Sequence, residues 1–491
     1  MFPLLALVVL QADVRRPPET APFPRYEIAL PAAPSDVERF AGDELRAALE
    51  RRLHARVTPA SPARRDAPGG CRIVIGTSDD TPEIARAIAA RWIAPPAQAQ
   101  GYTLRVGPDP ARRGARLAVI AGNDARGALY GTMDLVHFDL AALANGAEPL
   151  VRADAPRIQT RGLWSWAGRI YNYERYLDNM ARWKLNTLVL WHAYAPANGR
   201  ALADYAKRRG VDLVWGYNLA YENPVCPSDT LERRRWQEYV VRTYERDYAP
   251  IGATTVYFQA FTETGDKQRF CRFGDQCPNG CKGKSGGQLL VEWMNPMIEA
   301  LLARHPNVHV VCGVHASALH TDYRDVAGLD PRASLMWEDA GDFPFAYDPE
   351  KVHTTTFAQT LDLTHQLAEL RGPAAEAAFV FKGMSASYGG LDAMLEPDPV
   401  LERLAAEREP AWRKSERGWR AHLDSELEAA RIVAAHAPGR TTLVGLAEDG
   451  LWEERAWFPV VAFAESAWNP ARTAGDLTRR LDDCADVARL P

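Results

Sequence analysis

The sequence predicts an α/β protein, a (β/α)8 TIM barrel preceded by a small α/β N-terminal domain. From Thr160 onwards, short apolar segments alternate with amphipathic segments eight times, which is typical of a closed parallel sheet with helices outside it. Before Thr160, a shorter alternation of strand and helix patterns covers residues 25 to 150. The length of 491 residues fits a barrel of roughly 250–330 residues and one further domain. The predicted barrel strands are Thr160–Trp166, Thr187–His192, Leu213–Asn218, Thr255–Glu263, Val308–His315, Ser334–Asp339, Ala378–Lys382 and Thr442–Glu448.

The small domain is expected to span residues 25–152 and the barrel residues 156–491, with a polar, proline-containing stretch between them. Ser35 and Glu38 have the Ser-x-x-Glu spacing of a capping box and predict the start of a helix. The domain has no glycine-rich loop that could cradle a phosphate, so we expect it to support the barrel. Its predicted strands are Tyr26–Leu30, Arg72–Gly76, Tyr102–Val106 and Leu117–Ala121.

Composition and charge exclude several classes of protein. A net charge of −5 gives no general attraction for nucleic acid, and no segment is long and apolar enough to predict a membrane helix. The apolar run from Pro3 to Leu10 has the length of a signal-peptide core, so residues 1–12 are a candidate signal peptide. The sequence therefore favours a periplasmic or secreted protein, with the cytoplasm as the alternative. The oligomeric state is left open.

Three of the seven cysteines cluster as Cys271-x5-Cys277-x3-Cys281, in a stretch rich in glycine and lysine. A zinc site requires a fourth ligand, and the sequence shows none at close spacing. A loop held by one disulfide, or free thiols, is the preferred interpretation, and neither a metal nor another cofactor is predicted. A metal-dependent enzyme that uses this cluster remains the alternative.

The functional residues of a barrel are expected at the carboxyl ends of its strands. Aromatic rings close the first, second, third and sixth strands, and flat apolar rings suit the CH faces of sugars. The same rings could instead pack the top of the barrel. Histidines and a lysine could donate to substrate hydroxyls or to a sugar carboxylate, or the histidines could be internally hydrogen-bonded. The candidate substrate-binding residues are Trp166, His192, Tyr217, Asn218, His315, Trp337, Lys382 and Glu448.

Carboxylates on the fourth and sixth strands are the catalytic candidates. An apolar run ends at Glu263, and the sixth strand ends in Glu338-Asp339. Glycoside hydrolysis needs one protonated carboxyl group and one base or nucleophile. Because these strands are two apart around the barrel, the arrangement leaves room for a water and favours inversion. A carbohydrate-binding protein on a degenerate, non-catalytic barrel is the alternative.

The motifs "IVIGTSDD", "GYTLRV" and "LAVIAGNDARGALYGTMDLVH" resemble the N-terminal domain shared by two groups of enzymes. These are the family 20 β-N-acetylhexosaminidases and the family 67 and 115 α-glucuronidases. The resemblance covers most of residues 25–150 and extends to the barrel in layout. It implies an exo-acting glycoside hydrolase that releases a terminal sugar, with a uronic acid or an N-acetylhexosamine as candidates.

The catalytic motif departs from that of the hexosaminidases. Those enzymes use an adjacent Asp-Glu pair at the end of the fourth strand, where the Asp orients the acetamido group of the substrate. Here the pair is Thr262-Glu263, so the acid is retained and the orienting Asp is absent. The resemblance to the α-glucuronidases therefore fits Glu263 better, with Glu338 or Asp339 as the base and Lys382 near a uronate.

Overall fold

The computed structural model describes residues 25–59, 70–112, 114–144, 149–166, 170–220, 225–261, 270–316, 318–319, 321–338, 357–373, 375–381, 402–436, 440–447, 451–454 and 456–488. The N-terminal sheet contains β1 (Arg25–Ala29), β2 (Arg56–Pro59), β3 (Cys71–Thr77), β4 (Tyr102–Pro108), β5 (Arg116–Gly122) and β6 (Leu150–Asp154). The strand order is β2-β1-β3-β5-β4-β6, and β4 runs antiparallel to both its neighbours. The sequence did not predict β2 and β6, because these edge strands are short and half exposed.

Eight parallel strands close into a barrel, which confirms the predicted fold class. They are β7 (Thr160–Trp166), β8 (Thr187–Trp191), β9 (Asp212–Asn218), β10 (Thr255–Gln259), β11 (His309–His315), β12 (Ser334–Glu338), β13 (Ala377–Phe381) and β14 (Thr441–Leu446). Most bounds lie within two residues of the predicted ones. The fourth strand is the exception, because β10 ends at Gln259 and residues 262–269 lie outside the described residues.

Helices cover both parts of the chain. They are α1 (Asp36–Leu53), α2 (Pro82–Ala89), α3 (Ala125–Asp134), α4 (Ala141–Ala144), α5 (Tyr173–Arg182), α6 (Gly199–Arg208), α7 (Thr230–Thr243), α8 (Gly286–Arg304), α9 (Phe357–Glu369), α10 (Glu402–Ala435), α11 (Leu451–Glu454), α12 (Phe458–Trp468) and α13 (Ala474–Asp482). The capping box of Ser35 and Glu38 begins α1 as predicted. In the described part of the chain, no helix has an apolar stretch long enough to cross a membrane.

The barrel strands separate two apolar layers. Alternate residues of a strand face opposite sides, so one set fills the barrel and the other packs under the helices. The inner layer consists of Trp164, Val189, Trp191, Val214, Tyr257, Val311, Met336, Ala378, Val380, Val444 and Leu446. The outer layer is larger and includes Tyr217, Phe258 and Trp337. This alternation decides which strand-end residues can reach a ligand in the barrel.

A buried group of charges joins the small domain to the barrel. Lys184, which precedes β8, lies with its Nζ 2.7 Å from Asp134 of α3 and 2.5 Å from Glu465 of α12. All three side chains are almost fully buried. Trp468 of α12 also stacks on Tyr102 of β4, with ring centroids 6.3 Å apart. The small domain therefore packs on the barrel through both ionic and aromatic contacts.

Candidate functional site

The carboxyl end of the barrel interior contains a buried carboxylate. Glu338 is the last residue of β12 and follows the inner-layer Met336 by two positions, so it shares the inner face of the strand. It is paired in register with His315, the last residue of β11. Glu338 is 3% and His315 2% exposed, so both lie inside the barrel at the end where such barrels bind substrates.

Glu338 accepts hydrogen bonds from β10. The hydroxyl of Tyr257 donates to Glu338 Oε1 at 2.5 Å, and Gln259 Nε2 lies 3.4 Å from the same oxygen. The Nε2 atom of His315 is 3.3 Å from Glu338 Oε2. Burial, and then the adjacent carboxylate of Glu338, raise the pKa of Tyr257 well above its ordinary value. Tyr257 therefore keeps its proton at neutral pH and acts as a donor to Glu338.

Gly313 of β11 makes this arrangement possible. A Cβ atom at this position would lie 2.1 Å from the hydroxyl oxygen of Tyr257, and real side chains do not approach so closely. The missing side chain therefore gives the Tyr257 ring room to reach across β11 to Glu338.

Aromatic rings form one wall beside this carboxylate. The rings of Trp164 and Trp166 on β7 meet edge to face with centroids 5.2 Å apart. The ring centroid of Trp191 on β8 lies 6.4 Å from that of Trp166 and 6.3 Å from that of Tyr257. Trp166 is only partly buried, so its ring is the one of this set that a ligand entering from the carboxyl end could contact.

The structure brings together some of the predicted residues and not others. Trp166, His315 and Glu338 lie at the carboxyl end of the barrel interior, and Asn218 is paired with Gln259 there. The ring of His192 packs on the exposed Tyr194, with centroids 4.4 Å apart.

Tyr217 and Trp337 require a correction. Both side chains belong to the outer layer, and the Tyr217 hydroxyl donates to the Val240 carbonyl of α7 at 2.5 Å. Each is one position along its strand from a residue that faces the barrel interior, so its side chain faces the helices. We therefore remove both residues from the candidate site. Glu263, Asp339, Lys382 and Glu448 lie outside the described residues.

Sequence reasoning missed the two donors on β10, Tyr257 and Gln259. The signal was present, because a glutamine inside an otherwise apolar strand must find a polar partner when it is buried. Gln259 Oε1 is buried without a partner among the described residues, so it can accept a hydrogen bond from a ligand hydroxyl.

The opposite end of the barrel also has a cavity, of about 610 Å³. Its lining includes Thr160, Thr255, His309 and Glu376. These residues lie at or before the starts of their strands, where the substrates of barrel enzymes do not bind. We therefore place the candidate site at the Glu338 end.

A second site of interest is formed by cysteines, and here the expectation of a missing fourth ligand is wrong. Cys226, which follows β9, joins Cys271, Cys277 and Cys281 in one buried cluster. The sequence spacing concealed it, because Cys226 lies on a different loop. These four residues are the candidate metal ligands of the described chain, together with a smaller group of His137, Cys484 and Asp486.

Comparison with known proteins agrees with the architecture. Residues 24–135 match the family model described as the glycosyl hydrolase family 67 N-terminus, which confirms the predicted resemblance of the small domain. That match relates the chain to the glycoside hydrolases. No curated protein matches the sequence.

Solved structures that are similar to this chain are distant from it in sequence. A family GH138 enzyme targeting pectin rhamnogalacturonan II is 12% identical, with a TM-score of 0.54, over 94% of this chain and 66% of that chain. This chain thus spans just under two thirds of that enzyme, and the likeness shows a shared fold. A family GH20 exo-β-N-acetylglucosaminidase from Vibrio harveyi is also 12% identical, with a TM-score of 0.49, over 94% of this chain and 73% of that chain.

Proposed function

We propose that this chain is an exo-acting glycoside hydrolase that releases a terminal sugar from an oligo- or polysaccharide. The observation that carries the proposal is Glu338, a buried carboxylate inside the barrel at the carboxyl end of its sixth strand. A buried charge is costly unless it is hydrogen-bonded, and here Tyr257, Gln259 and His315 surround it. The N-terminal domain match supports the same class of enzyme.

The two catalytic roles follow from the chemistry of glycosidic bonds. One carboxyl group must protonate the leaving oxygen, and a second must activate a water on the opposite face of the sugar. We assign the acid role to Glu263 and the base role to Glu338, with Asp339 as the alternative base. Glu338 suits the base because it lies inside the barrel, where the hydrogen bonds from Tyr257 and Gln259 hold its carboxylate in place.

The neighbouring groups suit a sugar ligand. The partly exposed ring of Trp166 offers an apolar surface to the CH face of a pyranose, and Gln259 Oε1 can accept from a hydroxyl. We further propose a uronic acid or an N-acetylhexosamine as the terminal sugar, and a periplasmic or secreted enzyme, since the apolar run from Pro3 to Leu10 precedes the small domain.

A screen of aryl glycosides that includes α- and β-uronides and N-acetylhexosaminides tests the proposal. We expect release of the aryl group from one of these sugars, and proton NMR of the first-formed sugar should show the inverted anomer. A retained anomer would exclude the inverting assignment. Sugar binding without turnover on any substrate would favour the carbohydrate-binding alternative.

The hydrogen bond from Tyr257 to Glu338 gives a sharper prediction. In Tyr257→Phe the carboxylate loses a donor, so kcat should fall about ten- to hundredfold, the equivalent of one hydrogen bond to a charged group. Steady-state kinetics measure this effect.

Tyr217→Phe is the matched control. It removes the same hydroxyl from the neighbouring strand β9, but in the outer layer, where the partner is a backbone carbonyl. Its kcat should match that of the unmodified chain. If Tyr257→Phe leaves kcat equally unchanged, Tyr257 has no positioning role.

A further inference from the structure

Four cysteines from two neighbouring loops converge on one point beside the barrel. Cys226 lies between β9 and α7, whereas Cys271, Cys277 and Cys281 lie between β10 and α8. One ligand atom from each lies within 4.8 Å of every other, and all four residues are buried. Among the residues that the structure describes, Leu289 and Phe270 complete this small core.

The sulfur positions fit ligands around one ion better than they fit disulfides. Cys226 Sγ is 3.4 Å from Cys277 Sγ and 3.6 Å from Cys281 Sγ, two nearly equal neighbours. A disulfide needs one partner at about 2.05 Å. Four sulfurs at about 2.3 Å from a tetrahedral zinc ion are about 3.8 Å from one another. The observed spacing is therefore close to that of a tetrahedral tetrathiolate.

The surrounding chain is arranged to hold thiolates. The backbone N–H of Asn279 donates to Cys277 Sγ at 3.4 Å, and its side-chain Nδ2 donates to Cys226 Sγ at 3.6 Å. Gly280 has a φ of +92°, which lets the chain turn tightly between Cys277 and Cys281.

We propose that Cys226, Cys271, Cys277 and Cys281 bind one Zn²⁺ ion as a structural site. As each Zn–S bond forms, the thiol proton passes to solvent, and no electron is transferred. Four protein ligands leave no open position for a substrate or a water, so the ion has a structural role.

The site would fasten two loops at the carboxyl end of the barrel. Arg272 N donates to the Val225 carbonyl at 2.8 Å, and its guanidinium pairs with Glu232 at 3.0 Å, so the loops already meet here. In the sequence, Cys271 follows Glu263 by eight residues, so we expect removal of the ion to lower kcat if Glu263 is the acid. This last step rests on the proposed function, whereas zinc binding itself does not.

Metal analysis of the full chain, purified without added metal or chelator, tests the site. We expect one zinc per chain by inductively coupled plasma mass spectrometry. Exchange for Co²⁺ should give the intense visible bands of a tetrahedral cobalt thiolate. Cys277→Ser should lose the metal, while Cys71→Ser, a buried cysteine of β3 outside the cluster, should keep it.

Several outcomes would overturn the proposal. The proposal is wrong if the mass of the chain reveals two disulfides within the cluster, or if the metal found is iron and not zinc. It is also wrong if the reduced chain takes up neither Zn²⁺ nor Co²⁺. This last measurement does not depend on how the cysteine variants fold. If zinc is bound but its removal leaves kcat unchanged, the metal site stands and its expected effect on kcat is refuted.

Discussion

Replacing Glu338 by glutamine should lower kcat by about 10²–10⁴-fold, the usual contribution of a general base. The amide has nearly the same shape and can keep the contact with Tyr257, but it cannot take a proton from water. Binding of the released sugar, measured by calorimetry, should remain within a few-fold of the unmodified chain. Glu263→Gln should lower kcat by a comparable factor, because the acid and the base act in the same step.

A carboxylate at the other end of the barrel is the matched control. Glu376 precedes β13 and accepts hydrogen bonds from the hydroxyls of Ser334 and Thr442, the latter at 2.9 Å. Glu376→Gln makes the same chemical change inside the same barrel, and it should leave kcat within about threefold because no reacting atom is near. Near-normal turnover in Glu338→Gln would remove Glu338 from the base role and leave Asp339 as the candidate.

The fold could be predicted from the sequence because its signals are local. Each barrel strand is a short apolar run and each helix has an apolar stripe, so eight repeats are readable without any long-range information. The Ser35–Glu38 capping box is likewise a contact three residues apart. The edge strands β2 and β6 were missed because half-exposed strands leave a weaker pattern.

The site was only partly predictable, because it depends on which face of each strand points inward. Glu338 and His315 are on the inner face, whereas Trp337 and Tyr217 are one residue out of phase and face the helices. A strand-end rule alone does not separate these cases. The cysteine cluster needed tertiary information, because Cys226 precedes Cys271 by 45 residues in the chain.

The largest expected effect on stability concerns the buried lysine between the two parts of the chain. Lys184 lies between Asp134 and Glu465, and the Glu465 carboxylate also pairs with Arg472. Burial alone would raise the pKa of Glu465, but the charges of Lys184, Arg472 and Arg480 outweigh it and hold that pKa below its ordinary value. Asp134 behaves in the same way, with Lys184 as the main favourable charge.

Lys184→Met should therefore reduce the free energy of unfolding by about 3 kcal/mol, because it leaves two carboxylates buried beside an uncharged side chain. Arg472 and Arg480 still pair with Glu465, so we expect a loss of stability near the lower end of the range for broken buried ion pairs. Chemical denaturation followed by circular dichroism measures the free energy of unfolding. Lys207→Met, on the exposed face of α6, makes the same substitution in solvent and should change stability by less than about 0.5 kcal/mol.

The pH dependence separates lost charge pairing from lost packing. A carboxyl group whose pKa is lowered by folding stabilises the folded chain at any pH above its pKa in the unfolded chain. That stabilisation disappears as the pH falls below this value. The ordinary pKa values of Asp and Glu carboxyl groups, taken here for the unfolded chain, are 3.8 and 4.5. The difference between Lys184→Met and the unmodified chain should therefore be full at neutral pH and shrink as the pH falls below 4.5. A difference that stays constant down to the acid transition would assign the effect to packing of the lysine stem, and Lys184→Met/Glu465→Gln should then recover none of the lost stability.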